Sequence, residues 1–295
     1  MANYSKQMAV ASTAAISVLI AGAGAQNQDA ELVNDTADMA DIEPAGIEPA
    51  DAAFNEVDDP IWPVVSGIDP AADRILRNWS DYLAGAPAFT VVLEIAEDVL
   101  LPHGQMIQYG KVSEVTVQRP GSLHARGRGE ERRVNLIIHD GRCTLIDLDA
   151  NIYAIMDVPT LLDDAIDRIV ERYGLNVPTA DIVSQDPYAS VIGAVDYGYV
   201  VGRASVDGVD CHHLGFAQET IDWQVWIQAG PKPLLRKLVI TYKTETGWPQ
   251  YTARFSEWDL APVLSRHHFE YEPPADADQV DFLPNQPSQR VEIDQ

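Results

Sequence analysis

From residue 68 onward the hydrophobic positions switch between the helical period of about 3.6 and the strand period of 2, and these switches predict the elements. Ile75, Leu76, Trp79, Tyr82 and Leu83 recur at helical spacing in ADRILRNWSDYLAGAP, with Asp69 as cap and Pro70 at the first helical position, so the first element is an amphipathic helix. After Pro87 the period becomes two: Phe89, Val91, Leu93 and Ile95 alternate with Thr90, Glu94 and Ala96, the pattern of a half-buried strand. Strands are then expected one after another to about residue 157. They are punctuated at His103-Gly104, Gly110-Lys111, Pro120-Gly121, Gly129-Glu130, Asp140-Gly141 and Ala150-Asn151, of which Asp140-Gly141 between apolar flanks is the strongest hairpin signal.

The strand period breaks at Pro159-Thr160. In LLDDAIDRIVERYGL, Leu161, Leu162, Ala165, Ile166, Ile169, Val170 and Tyr173 form one stripe that Gly174 closes, and Asp186-Pro187 opens a second, shorter helix running to Val195. Strands resume as YVVGRASVDG, VDCHHLGFAQET, IDWQVWIQAG, PLLRKLVITYKTE, PQYTARFSEWDL and HHFEYEP. The fold class is therefore α+β, mostly antiparallel β. An antiparallel sheet of about ten strands rarely stays flat. The expectation is a strongly curved sheet, a half-barrel, with helices covering its concave face.

The flanks differ in composition. Residues 1–25 carry Lys6 as their only charge, then an apolar stretch from Met8 to Ile20 and an Ala23-Gly24-Ala25 site, which together read as a secretory signal cleaved after Ala25. Export places the protein in the periplasm, and no later segment has the roughly 20 apolar residues of a spanning helix. Residues 26–65 contain a run of acidic residues without Lys or Arg, including the near-repeat IEPAGIEPA, and read as a disordered acidic linker; residues 274–295 read as an acidic tail. The folded domain is thus expected over 66–273. A formal net charge of -25 in 295 residues argues against nucleic acid as a partner.

The run CHHLGFAQETIDWQVWIQAGPKPLLRKLVITYK (Cys211 to Lys243), with Asp186-Pro187-Tyr188 before it and QYTARFSEW (Gln250 to Trp258) after it, resembles a family of predicted periplasmic proteins of unknown function, itself similar to the LolA/LolB lipoprotein-carrier superfamily. The resemblance covers roughly 69–273. It implies a half-barrel with helices as a lid over an apolar cavity, and it brings no catalytic motif and no cofactor.

That implication gives the apolar strand faces a use. Lining candidates by period are Phe89, Val91, Leu93 and Ile95 in one strand, Trp223, Val225 and Ile227 in a second, and Leu238, Ile240 and Tyr242 in a third. The competing reading is that these residues fill a core beneath the helices. The expected partner is a hydrophobic ligand, a lipid or the acyl chain of a lipoprotein. The alternative is an interaction or stress-sensing module that binds an envelope protein, and a hydrolase is the third class, with no residue to nominate.

Other clusters carry weaker chemistry. Cys211-His212-His213 and His267-His268 resemble metal ligands, but alternation along a strand sends neighbours to opposite faces, so only Cys211 and His213 of the first cluster could meet one ion. The cluster reads as structural, with a composite site joining His213 to the second pair as the alternative. Asp147-x-Asp149-x-Asn151 begins like a calcium loop, but Ile152 stands where Gly is needed and Val158 where Glu is needed, so a hairpin turn between Leu145 and Tyr153 is expected. Gly127-Arg128-Gly129 lacks the spacing of a phosphate loop. Arg126, Arg128, Arg132 and Arg133 form a basic cluster, read as a solvated strand face or else as a dock for an acidic partner, a lipid headgroup or the protein's own acidic segments. Cys143 and Cys211 are allowed to bridge in an oxidising compartment, or each is a small buried hydrophobe.

Overall fold

A computed structural model of the protein describes residues 67–130, 132–173 and 179–282. The expected signal peptide (1–25) and acidic linker (26–65) lie outside the described residues. In chain order the elements begin with β1 (Gly67–Ile68), α1 (Pro70–Ala84), β2 (Ala88–Leu100), β3 (Met106–Gln118), β4 (Ser122–Gly129), β5 (Arg133–His139), β6 (Arg142–Asp147) and β7 (Ile152–Asp157). Three helices follow, α2 (Leu162–Tyr173), α3 (Ala180–Val183) and α4 (Pro187–Ile192). The chain then returns to strands: β8 (Tyr197–Val206), β9 (Val209–Ala217), β10 (Ile221–Gln228), β11 (Leu235–Tyr242), β12 (Gln250–Asp259) and β13 (Asp278–Gln279).

All thirteen strands form one sheet, in the order β1-β8-β9-β10-β11-β12-β2-β3-β4-β5-β6-β7-β13. Two meanders, β2 to β7 and β8 to β12, meet where β12 pairs antiparallel with β2, Ala253 opposite Ile95 and Phe255 opposite Leu93. The sheet is curved and unclosed. At each end a two-residue strand, β1 beside β8 and β13 beside β7, pairs in parallel and covers only part of its neighbour.

Local chemistry explains most boundaries. Asp69 accepts the Ala71 N–H at 2.7 Å and Pro70 occupies the first turn, so α1 starts where the cap and the fixed proline φ agree. Asp140 (φ 48) and Gly141 (φ 73) make the tight turn between β5 and β6, as the Asp-Gly pair predicts. The Asp147 carboxylate accepts the N–H groups of Asp149 (3.0 Å) and Ala150 (2.9 Å), which makes the calcium-like sequence the expected hairpin turn.

Four expectations are corrected. Gly110-Lys111 is not a turn, because β2 and β3 pair without interruption and Ala96 stands opposite Gly110. HHFEYEP is not a strand. His268 N–H and Glu270 N–H bond back to Ser265 and His267, and the resulting turn points Phe269 into a second, smaller core with Ile137 and Ile146 on the sheet's opposite face. Its apolar alternation serves that face and not a sheet edge. The acidic tail does not begin at 274, since Asp278 N–H and Val280 N–H bond to Asn151 and Tyr153 along β7. A further short helix, α3, precedes the expected one.

The main core lies between the helices and the other face of the sheet. Gly198 is required there: a Cβ at this position would sit 2.4 Å from the edge of the Phe216 ring, which stacks on Trp223 with centroids 4.1 Å apart.

Candidate ligand-binding face

The ten lining candidates all reach one face. Phe89, Val91, Leu93 and Ile95 on β2, Trp223, Val225 and Ile227 on β10, and Leu238 and Ile240 on β11 are at most 8% exposed and share one core, against which Tyr242 packs half-buried. Register brings them together in ladders: Trp223 opposes Ile240 and Val225 opposes Leu238, while Leu238 also opposes Ala253 of β12, which opposes Ile95. Tyr251 (0% exposed), Phe255, Leu214 and Phe216 complete this face, and sequence periodicity alone did not single them out.

Four helices cover it. α1 contributes Leu76, Trp79 and Leu83, α2 contributes Leu162, Ala165 and Ile169, and α3 contributes Ile182 and Val183. α4 adds Tyr188, Val191 and Ile192, partly buried. The rim of this cover is held by polar contacts. Tyr188 donates its hydroxyl hydrogen to Asp73 (2.5 Å) and accepts from Arg77 Nη2 (2.6 Å), while its backbone N–H donates to Ser80 Oγ (2.9 Å), so α4 is latched onto α1. The Arg77 guanidinium, followed by the Tyr188 hydroxyl, holds the Asp73 carboxyl below the usual carboxylate range. Burial, then the carboxylate, raises the Tyr188 phenol.

A second tether joins the lid to the sheet. Arg119, between β3 and β4, donates through Nη1 to the carbonyls of Val183 (2.9 Å) and Ser184 (2.7 Å) at the end of α3, with its guanidinium carbon 5.8 Å from the Phe89 ring centroid. Burial lowers its pKa. Asp163 of α2 accepts from Ser184 Oγ at 3.2 Å and from Gln185 N–H. At the opposite end of the strands the face carries an ion pair, Lys111 with Glu97 at 2.9 Å, both mostly buried.

Asp181 on α3 is the lid's pH-sensitive group. Burial pushes its carboxyl up to about 6 from an ordinary 3.8. In the unfolded chain it ionises near 3.8, whereas in the fold it keeps its proton to about 6, so folding takes up a proton between these values. Its contribution to stability is therefore full below pH 3.8 and is lost as pH rises through 6. Hydrogen exchange in α3 is expected to quicken between about pH 5 and 7 in the wild type relative to Asp181→Asn, and equal profiles would exclude this role.

The remaining clusters separate. Cys211 and His213 point to the outer face, where His213 Nε2 meets Gln224 Oε1 at 3.0 Å and its ring stacks on Trp226 at 4.1 Å. His268 lies instead against His124 of β4, with ring centroids 5.4 Å apart, and His267 pairs with Glu270, so the composite site with His213 does not form. Among the described residues no three His, Cys, Asp or Glu side chains group to hold a metal. Gly127-Arg128-Gly129 lies within β4, as strand and not as a loop. Three of the four clustered arginines are matched within the fold: Arg126 with Glu114, Arg132 with Asp147 and Arg133 with Asp149. Their charge is largely offset by the sheet's own carboxylates.

The Cys143–Cys211 bridge is absent. Both thiols are free and buried, on β6 and β9, eleventh and third in the strand order. Burial pushes the Cys143 thiol up to about 12, so it behaves as a small hydrophobe.

A family model described as "Predicted periplasmic protein (DUF2092)" matches residues 72–283. No curated protein matches the chain. Among solved structures, an uncharacterized conserved protein from Thermus thermophilus is 11% identical with a TM-score of 0.44, covering 72% of this chain and 99% of its own. Mycobacterium tuberculosis lipoprotein LppX is 16% identical with a TM-score of 0.44, covering 66% and 98%. A LolA superfamily protein from Nitrosomonas europaea is 11% identical with a TM-score of 0.33, covering 70% and 98%.

Proposed function

We propose a carrier's role for this chain, which belongs to the DUF2092 family of predicted periplasmic proteins: it binds a hydrophobic ligand, a lipid or an acyl chain, on the inner face of its half-barrel, without catalysing a reaction. One observation carries the reading. A continuous apolar face running from β9 through β12 to β2 and β3 is covered by separate helices, and these are held at the rim by a few partly exposed polar contacts, not by further sheet pairing. Lifting such a cover breaks a handful of hydrogen bonds and uncovers the helices' apolar stripes, a loss that a bound ligand must offset. An acyl chain then takes the place of helix side chains, each buried methylene contributing roughly 0.8 kcal/mol. No helix among the described residues is long and apolar enough to cross a membrane.

The test is a native mass spectrum of protein taken from the periplasm, followed by organic extraction. A stoichiometric lipid or acylated species is expected. Empty protein that also takes up no fluorescent fatty acid would sink the carrier.

A second reading, an envelope-protein binding module, is favoured by one feature. Tyr197, Tyr199 and Val201 stand in a row along β8, 40–48% exposed, on a strand that β1 pairs only at Tyr197 and Gly198. The rest of that edge suits strand addition by an extended peptide. Recovery of a stoichiometric protein partner with no lipid would support it over the carrier.

A further inference from the structure

The inner face has hydrogen-bonding capacity left over, and its sign identifies a ligand class. Three tryptophans belong to this core: Trp79 on α1, Trp223 on β10 and Trp258 on β12. Trp258 is satisfied, its Nε1–H donating to the Leu235 carbonyl at 3.0 Å. Trp79 and Trp223 are not. They are 4% and 5% exposed, and both indole nitrogens are buried without a hydrogen-bond partner. α1 lies against β8 and β10, so both indoles occupy the same layer between lid and sheet.

Apolar filling does not explain these two residues. Phe89, Phe216 and Phe255 fill comparable space on the same face without bringing a donor, and a buried N–H left unpaired destabilises the fold. The other unmet groups agree in sign. Arg119 Nε and Nη2 are also buried donors without partners, whereas the Glu97 carboxylate is already engaged by Lys111 at 2.9 Å. Ser113 Oγ and the Tyr251 hydroxyl, both buried on this face, can either donate or accept and do not discriminate. The interior therefore lacks acceptors, not donors. A free carboxylate would need Arg119 to pair its charge, but that guanidinium lies between the eighth and ninth strands of the order and is tied to the end of α3, whereas Trp223 is on the fourth strand. Beside the indoles the charge would stay unpaired and costly. A neutral carbonyl brings the acceptor alone.

We propose, building on the carrier reading, that the ligand is a neutral ester-bearing lipid whose ester carbonyls accept hydrogen bonds from the indole N–H groups of Trp79 and Trp223. The same chemistry occurs in a free acylglycerol and in the diacylglyceryl group of a lipidated protein. Its acyl chains lie along the Phe89 to Ile95 and Leu238 to Ile240 faces, and its carbonyls sit in the layer between α1 and β10.

The test compares isosteres on the full chain. Binding of dioleoylglycerol, of its diether analogue and of a synthetic diacylated lipopeptide is measured by native mass spectrometry and by tryptophan fluorescence. With a neutral hydrogen bond giving about 2- to 10-fold each, the ester is expected to bind at least about 4-fold tighter than the diether. Trp79→Phe and Trp223→Phe should each shrink the ratio of ester to diether affinity, whatever the change in packing does to diether binding itself. Ester and diether bound equally well by the wild type would overturn the proposal and leave the carrier standing, and this comparison needs no variant to fold. An undiminished gap in both variants would also overturn it. Binding of none of the three probes would remove the carrier reading as well. If the ester preference holds, tighter binding of the lipopeptide than of free dioleoylglycerol assigns the carbonyls to a lipidated protein, and the reverse order assigns them to free lipid.

Discussion

Phe89→Ala is expected to lower the stability of the domain by about 3–5 kcal/mol, read as a fall in the urea midpoint with little change in slope. The ring is 0% exposed near the start of β2, with its centroid 5.6 Å from that of Trp258 and the Arg119 guanidinium beside it. Three elements meet on this side chain: the sheet junction where β12 joins β2, the β3–β4 connection, and through Arg119 the end of α3. Truncation removes its transfer free energy and leaves a cavity that strands on both sides cannot close. The size of the loss also separates the two readings of this face. A packed core gives the full range, whereas a loss below about 1 kcal/mol means that the ring borders space already open to a ligand.

On the opposite face, Phe269→Ala is expected to cost about 3 kcal/mol, at the low end of the range for buried aromatics, because it sits in the smaller core. Phe269 is 6% exposed, packs on Ile137 and Ile146, and stacks on His139 at 5.7 Å. It anchors the segment 261–282, so its loss should open that segment to limited proteolysis while β2 to β12 stay protected. Acid should have the same outcome. His124, whose Nδ1 lies 2.9 Å from the His268 carbonyl, has its pKa pushed down to about 4, first by burial. In the unfolded chain it titrates near 6.5, so between 6.5 and 4 unfolding takes up a proton. Its contribution is present above pH 6.5 and lost as pH falls through 4. Arg126 also disfavours its charge, while the His268 carbonyl and Glu114 favour it. Cleavage within 261–282 that does not rise between about pH 7 and pH 4 would exclude this coupling.

The elements whose signals are local were legible in the sequence. Asp69-Pro70 fixes the start of α1, Asp140-Gly141 makes its turn, the predicted stripe forms a helix from Leu162 to Tyr173, and the alternation in β2, β10 and β11 puts the ten lining candidates on one face. The misreadings arose where one local pattern serves two environments. Gly110 reads as a turn residue but lies inside a 13-residue strand, because its partner Ala96 continues the ladder. Phe269 and Tyr271 alternate like strand residues, but Phe269 lies in a turn and Tyr271 just after it, because the apolar surface they pack against is the back of the sheet around β5 and β6.

The candidate site divides in the same way. Which strand faces are apolar was readable from the chain, since side-chain period depends only on neighbours along it. That Arg119 meets α3, that Tyr188 bridges Asp73 and Arg77, and that Trp79 and Trp223 lack partners where Trp258 has one were not readable. These contacts join residues tens to more than a hundred positions apart, and sheet order and lid placement alone bring them within hydrogen-bond reach. The thiols follow the same rule: residue type and compartment allowed Cys143 and Cys211 to pair, and strand order kept them apart. What each side chain offers is set by covalent chemistry and local geometry, and the order of residues is enough to state it. What each side chain meets is set by the packing of the whole sheet against its helices, which selects partners far apart in the chain.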